Sequence, residues 1–102
     1  MPTSKTVRKI ALSLKNAEER PSYGTPGFFV RKTIFARILP DDGLVVLKIE
    51  YDRREVLMKS DPATYFITDH YRNYPMLIVR LSNVAADDLR ELLEDAWRIA
   101  SA

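Results

Sequence analysis

The sequence has 102 residues, 46% of them hydrophobic and 29% charged, with a net charge of +2 and no cysteine. This length and balance are typical of one soluble globular domain, and we expect residues 1–102 to form a single domain. Without cysteine the chain has no disulfide, thiolate ligand or cysteine nucleophile, which favours the reducing cytoplasm. It shows no signal-peptide pattern and no apolar run of about 20 residues, so we expect no membrane partner.

Basic side chains are concentrated in the N-terminal third. Residues 1–37 hold eight basic and two acidic side chains, whereas the remainder holds eight basic and twelve acidic ones. This asymmetry indicates either a surface that attracts a polyanion such as nucleic acid or a solvated face without a partner.

The first predicted element is a helix from about residue 3 to residue 14, which Thr3 or Ser4 can cap. Apolar residues recur at the spacing of one helical face, namely Val7, Ile10, Ala11 and Leu14. The opposite side carries the cations Lys5, Arg8 and Lys9.

A loop and three strands are predicted next. Segment 21–27 contains two prolines and two glycines, so we expect no regular element there. Strands are predicted at residues 28–31, 33–39 and 44–50, and a turn at 40–43 makes the second and third a hairpin. In the second strand, period-two alternation turns Ile34 and Ala36 toward the core, and Phe35 and Arg37 toward the other face.

The second half begins with a short helix at residues 52–59, for which we predict Asp52 as the cap and Val56 and Leu57 as the inward residues. A short strand at 65–67 and a polar, aromatic loop at 69–75 follow. A strand at 76–81 then places Leu77, Val79 and Leu81 on one face.

The last element is a helix with a continuous apolar stripe. The stripe consists of Leu89, Leu92, Leu93, Ala96, Trp97 and Ala100. We interpret Trp97 as a core anchor. The order of elements favours an α+β fold in which an antiparallel sheet has its helices packed on one face.

Most catalytic and metal sites are excluded by residue type. His70 is the only histidine, and zinc needs three or four ligands from histidine, cysteine and carboxylates. No G-x-S-x-G, G-x-G-x-x-G or Walker pattern is present. We therefore expect no catalytic residues, no cofactor and no metal, and we favour a monomer that binds a partner.

Two binding hypotheses remain open. The first is a nucleic-acid surface, with Arg31 and Lys32 at a hairpin tip and basic residues alternating with aromatic ones on the outer sheet face. Its predicted contacts are Lys5, Arg8, Lys9, Arg31, Lys32, Arg37, Lys48 and Arg80. The alternative is a pocket for a small ligand or a protein partner, lined by Tyr23, His70, Tyr71 and Tyr74.

Four segments carry a family resemblance: residues 22–28 (SYGTPGF), 34–37 (IFAR), 70–75 (HYRNYP) and 92–97 (LLEDAW). In this order they resemble the MmcQ/YjbR family of small bacterial proteins. The resemblance implies a fold similar to the CyaY (frataxin-like) superfamily, with a pair of β-hairpin wings to which DNA binding is attributed. Iron binding, a frataxin property, is not expected, because the first helix is basic and has no acid before Glu18.

Overall fold

The computed structural model describes residues 1–41 and 43–102; Asp42, in the predicted turn at 40–43, lies outside the described residues. In chain order the elements are α1 (Ser4–Ser13), β1 (Glu18–Ser22), β2 (Thr25–Val30), β3 (Thr33–Ile38), β4 (Leu44–Lys48), α2 (Tyr51–Ser60), β5 (Tyr65–Phe66), β6 (Met76–Arg80) and α3 (Ala86–Ser101). A 3₁₀ turn at Asp69–Tyr71 lies between β5 and β6.

The six strands form one antiparallel sheet in the order β1-β2-β3-β4-β6-β5. We call the side against which α1 and α3 pack the helix face; it includes Phe28, Ala36 and Leu47, which belong to the core. The opposite side, the open face, includes Arg37 and Val46, which pair across β3 and β4. The predicted α+β class, with helices on one face of an antiparallel sheet, is confirmed.

Segment 21–27 is regular, so the prediction of an irregular loop is wrong. Residues 18–22 of β1 pair with residues 25–29 of β2, and Pro21 lies opposite Pro26. Proline lacks a backbone donor and is therefore tolerated on an edge strand or beyond the end of a ladder. Pro21 is on the edge strand, and Pro26 precedes Gly27, the first β2 residue that pairs with β3.

A β-bulge reverses part of the predicted alternation in β3. The register shifts between Phe28 and Phe29, because Phe28 pairs with Ala36 whereas Phe29 pairs with Ile34. Phe35 is the extra residue between these pairs and is completely buried in the core. The prediction that Ile34 faces the core and Phe35 faces outward is therefore wrong, since the bulge exchanges their sides.

Helix α2 also turns differently from the prediction. Its N-cap is Glu50 rather than Asp52. Val56 is 64% exposed, so it does not point inward, although Leu57 packs against the core as expected. The buried residue of α2 is Arg54, only 4% exposed.

Helices α1 and α3 agree with their sequence patterns. Val7, Ile10 and Ala11 are buried in α1, and the backbone N–H of its N-cap, Thr3, donates to Thr6 Oγ1 at 3.0 Å. The α3 stripe is buried except for Trp97, which is half-buried at the margin of the core. The indole Nε1 of Trp97 donates to the Lys15 carbonyl at 2.9 Å, so this residue ties α3 to the end of α1.

Two tight hairpin tips have residues with positive φ at both central positions, as type I′ turns require. Tyr23 (φ 53°) and Gly24 (φ 84°) join β1 to β2, and Arg31 (φ 51°) and Lys32 (φ 69°) join β2 to β3. Three of these four residues carry a Cβ, and placing such a residue in the left-handed backbone region costs about 1–2 kcal/mol of conformational free energy. The chain thus keeps an aromatic and two basic residues at tips that glycine or asparagine would form more easily.

The bulge can be tested by comparing Phe35→Ala with Ile34→Ala. We expect Phe35→Ala to lower the free energy of unfolding by about 3–5 kcal/mol, the usual cost of removing a large core aromatic. The loss for Ile34→Ala is expected to be smaller by at least about 1 kcal/mol, because Ile34 is only half-buried. Urea denaturation measures both values, and the reverse ranking would contradict the bulge.

Candidate functional site

A concave pocket of about 450 Å³ lies on the open face. Its floor is apolar, and one wall comes from the tip between β1 and β2, the other from the 3₁₀ turn. The lining residues are Ser22, Tyr23, Phe29, Ile34, Arg37, Val46, His70, Tyr71 and Met76. The volume is within the range of about 300–1,000 Å³ that small-molecule sites occupy.

Three of the four residues predicted for a pocket line it. Tyr23 comes from the β1–β2 tip and is 93% exposed, and His70 and Tyr71 come from the 3₁₀ turn. The rings of His70 and Tyr71 meet edge to face, with 4.7 Å between their centroids. Tyr74 does not line the pocket, but its ring centroid is 6.1 Å from that of His70.

Arg37 supplies the positive charge of the pocket. Its Nε donates to the Ser22 carbonyl and to Thr25 Oγ1, each at 3.0 Å. Its guanidinium carbon lies 5.3 Å from the centroid of the Tyr23 ring. The side chain therefore fastens the β1–β2 tip to the centre of the sheet and places a cation beside an aromatic ring.

A buried arginine holds the opposite wall. Nη1 of Arg54 donates to the carbonyls of Tyr71 (3.2 Å), Tyr74 (2.8 Å) and Met76 (3.1 Å), and Nη2 donates to that of Arg72 at 3.2 Å. Four backbone acceptors from residues 71–76 thus converge on one guanidinium. Because α2 supplies this donor, it sets the position of the segment that carries His70 and Tyr71.

Arg54 has no carboxylate partner within the described part of the chain. Its guanidinium carbon lies 4.9 Å from the centroid of the Tyr51 ring, and its Nε is buried without an acceptor. Carbonyl dipoles and one aromatic face therefore take the place of the usual counter-charge.

The apolar floor of the pocket was not predicted from the sequence. Phe29, Val46 and Met76 were not predicted to line a site, and Ile34 was assigned to the core. A signal was present in two uninterrupted apolar runs, at residues 44–47 and 76–79, because such runs are typical of strands that are covered on both faces.

The predicted nucleic-acid contacts lie on three parts of the surface. Lys5, Arg8 and Lys9 are exposed on α1, where Arg8 forms an ion pair with Glu19 at 2.7 Å. Arg31 and Lys32 occupy the exposed β2–β3 tip, and Nη1 of Arg31 is 3.5 Å from the Ser101 carbonyl.

The remaining predicted contacts are on the central strands. Arg37 lines the open-face pocket. Arg80, on β6, lies over the Phe66 ring at 4.9 Å, and its Nε donates to the Ala63 carbonyl at 2.9 Å. Lys48 is half-buried at the end of β4 and borders a hollow between β4 and α3. Helix α1, the β2–β3 tip and the central strands thus each hold part of the predicted set.

Elsewhere, Tyr65 has a perturbed hydroxyl. Burial raises its pKa, the negative charges of Asp88 and Asp61 raise it further, and Arg53 opposes them.

Within residues 1–41 and 43–102, no three histidine or acidic side chains are grouped as metal ligands would be. None of the helices in this part of the chain has both the length and the apolar character that crossing a membrane requires.

Comparison with known proteins identifies the family. The model of the YjbR family matches residues 12–99. The chain belongs to the YjbR family. This match extends from the end of α1 almost to the end of α3, so it includes every residue that lines the pocket.

Similar proteins share the fold or part of the sequence and come from bacteria. This YjbR chain is similar to the crystal structure of a Deinococcus radiodurans protein with a DUF419 domain, with a TM-score of 0.86 and 24% identity, covering 99% of this chain and 80% of that one. Uncharacterized proteins of Mycobacterium tuberculosis and Mycobacterium bovis are 42% identical over 41 residues, which is 40% of this chain. The match spans about a third (32%) of the length of these relatives.

The role of Arg54 in holding the pocket wall can be tested with Arg54→Met, which keeps an apolar stem but removes the hydrogen-bond donors. We expect the free energy of unfolding to fall by roughly 2–4 kcal/mol, because hydrogen bonds from a charged group contribute about 1.5–3 kcal/mol each and are not additive. Urea denaturation measures this loss, and amide hydrogen exchange should accelerate across residues 69–76.

Arg53→Met is the matched control from the neighbouring position. Arg53 forms ion pairs with Glu91 and Asp95 that are partly exposed, so its loss should cost less than about 1 kcal/mol. Equal losses for the two variants, with unchanged exchange in residues 69–76, would show that Arg54 does not hold the loop.

Proposed function

We propose that this YjbR protein is a non-catalytic binding module whose ligand site is the open-face pocket. One observation carries the proposal: Tyr23 from the β1–β2 tip and His70 and Tyr71 from the 3₁₀ turn line one pocket with an apolar floor on the sheet. Sites for small molecules are typically concave, mostly apolar and equipped with a few convergent polar groups. We further propose that the protein works as a cytoplasmic monomer without a metal or cofactor, and the absence of cysteine supports a reducing compartment.

The geometry of the walls supports binding by a pre-organised site. Arg54 ties the 71–76 segment to α2, and Arg37 ties the β1–β2 tip to β3. Each wall is therefore held by an arginine that donates to backbone carbonyls, which reduces the ordering cost that a ligand would otherwise meet. At the β1–β2 tip, Tyr23 keeps a strained positive φ while its side chain is almost fully exposed, and strain of this kind is concentrated at functional sites.

Chemical-shift mapping tests the pocket directly. We expect bicyclic aromatic compounds with acidic, neutral and basic substituents to include at least one that shifts the amide signals of pocket residues. Tyr23→Ala should weaken its binding about tenfold, since stacking on one aromatic side chain contributes about 1–3 kcal/mol.

Tyr74→Ala is the matched control, because it removes an exposed tyrosine outside the pocket and leaves the carbonyl that Arg54 holds. Binding should change less than about twofold. Absence of any shift at millimolar probe, or an equal loss in both variants, would refute the pocket as a ligand site.

A second proposal, nucleic-acid binding, is favoured by a different observation. The β2–β3 tip keeps two exposed cations at positive φ, although neither residue type favours that conformation. An exposed basic tip is suited to phosphate contacts, and α1 adds exposed cations. The CyaY-like, double-wing description of the fold belongs to this proposal, and the meander from β1 to β4 supplies hairpins that fit it.

Charge reversal at the tip tests the second proposal. We expect Arg31→Glu/Lys32→Glu to lower affinity for duplex DNA steeply at low salt. The slope of log K against log salt should become shallower by roughly 2, because each neutralised phosphate contributes about −0.9. Fluorescence anisotropy with labelled duplex and single strands measures both quantities.

The control is Lys59→Glu/Arg90→Glu, which reverses two exposed cations on α2 and near the start of α3. It should leave the slope nearly unchanged. No binding at low salt would end the nucleic-acid proposal, and equal losses in both double variants would exclude the tip as the contact.

A further inference from the structure

The charge inside the pocket is not compensated by the described part of the chain. No carboxylate in residues 1–41 and 43–102 forms an ion pair with Arg37. Nε of Arg37 makes the two contacts that fasten the tip, and within the same residues its terminal nitrogens hold no hydrogen bond. The donors that match a carboxylate in bidentate fashion therefore remain available to a ligand.

The surroundings of Arg37 are aromatic and aliphatic. Tyr23 lies beside its guanidinium, His70 and Tyr71 form the facing wall, and the floor is apolar. Of the described residues that line the pocket, Arg37 alone has a permanent charge. Such a site suits a ligand with one negative group on a flat, apolar body, because the body covers the floor while the negative group meets the arginine.

Polyanions and neutral compounds fit less well. A phosphomonoester brings close to two negative charges to a site with one permanent cation. A neutral apolar ligand would take the guanidinium out of water without replacing its hydrogen bonds, which costs free energy.

We infer that the open-face pocket binds a planar aromatic monocarboxylate, with the carboxylate on the terminal nitrogens of Arg37 and the ring between Tyr23 and Tyr71. This inference rests on the proposed function of the pocket and specifies the ligand class. It assigns Arg37 two roles that use different atoms: Nε holds the tip, and the terminal nitrogens recognise the ligand.

The test compares 2-naphthoate with its neutral isostere 2-naphthamide by isothermal titration calorimetry on the full chain. We expect naphthoate to bind at least tenfold more tightly than naphthamide. In Arg37→Gln, affinity for naphthoate should fall at least tenfold, to about the level of the amide, while affinity for the amide changes less than threefold. Arg37→Lys should recover only part of the loss, since lysine keeps the charge but lacks the planar pair of donors.

Arg80→Gln is the matched control: it removes a cation that also lies on the central strands beside an aromatic ring but does not line the pocket. It should leave the affinity for naphthoate within about twofold. Amide spectra of every variant establish that the fold is retained.

The outcomes separate the inference from the proposal on which it rests. If the amide binds as tightly as the acid at pocket residues, the anion inference is overturned and the ligand pocket stands. If neither probe nor any member of the wider aromatic panel binds, the proposed function itself fails. A loss of naphthoate binding in Arg80→Gln but not in Arg37→Gln would place the anion elsewhere and overturn the inference.

Discussion

A single buried cation determines how the open face is built. Arg54 is 4% exposed and has backbone carbonyls in place of a carboxylate partner within the described residues. Burying such a charge is costly unless most of its donors are used, and both terminal nitrogens of Arg54 donate to carbonyls of the segment 71–76, which bends around the guanidinium. The path of the loop, the start of β6 and the wall with His70 and Tyr71 all follow from this requirement.

The sheet supplies the other half of the pocket through a change of register. The bulge at Phe35 adds a large ring to the core and at the same time turns Ile34 toward the open face. Arg37 then lies beside the β1–β2 tip, close enough to hold it. The pocket therefore depends on two local departures from regular structure, a bulge in β3 and a buried charge on α2, rather than on one motif.

These departures explain which parts of the molecule could be predicted from the sequence. The α3 stripe and the strand with Leu77 and Val79 could be predicted, because long periodic patterns of apolar residues indicate which side chains are buried. The bulge could not be predicted, because Ile34 and Phe35 are both apolar and either residue could face the core. The partners of Arg54 are carbonyls, which every residue has, so no residue type reveals them. Aromatic residues in turns pointed to Tyr23, His70 and Tyr71, but the floor depends on strand order, which local pattern does not specify.

The position of Pro21 has a consequence for how this protein behaves at high concentration. An open sheet leaves its outermost strands with unpaired backbone groups, and such strands are templates for pairing with other chains. On one side, β1 carries a proline and three adjacent charged residues, Glu18, Glu19 and Arg20. On the other side, β5 is only two residues long. Both edge strands are thus poor templates for pairing with another chain, which disfavours aggregation through the open edges of the sheet.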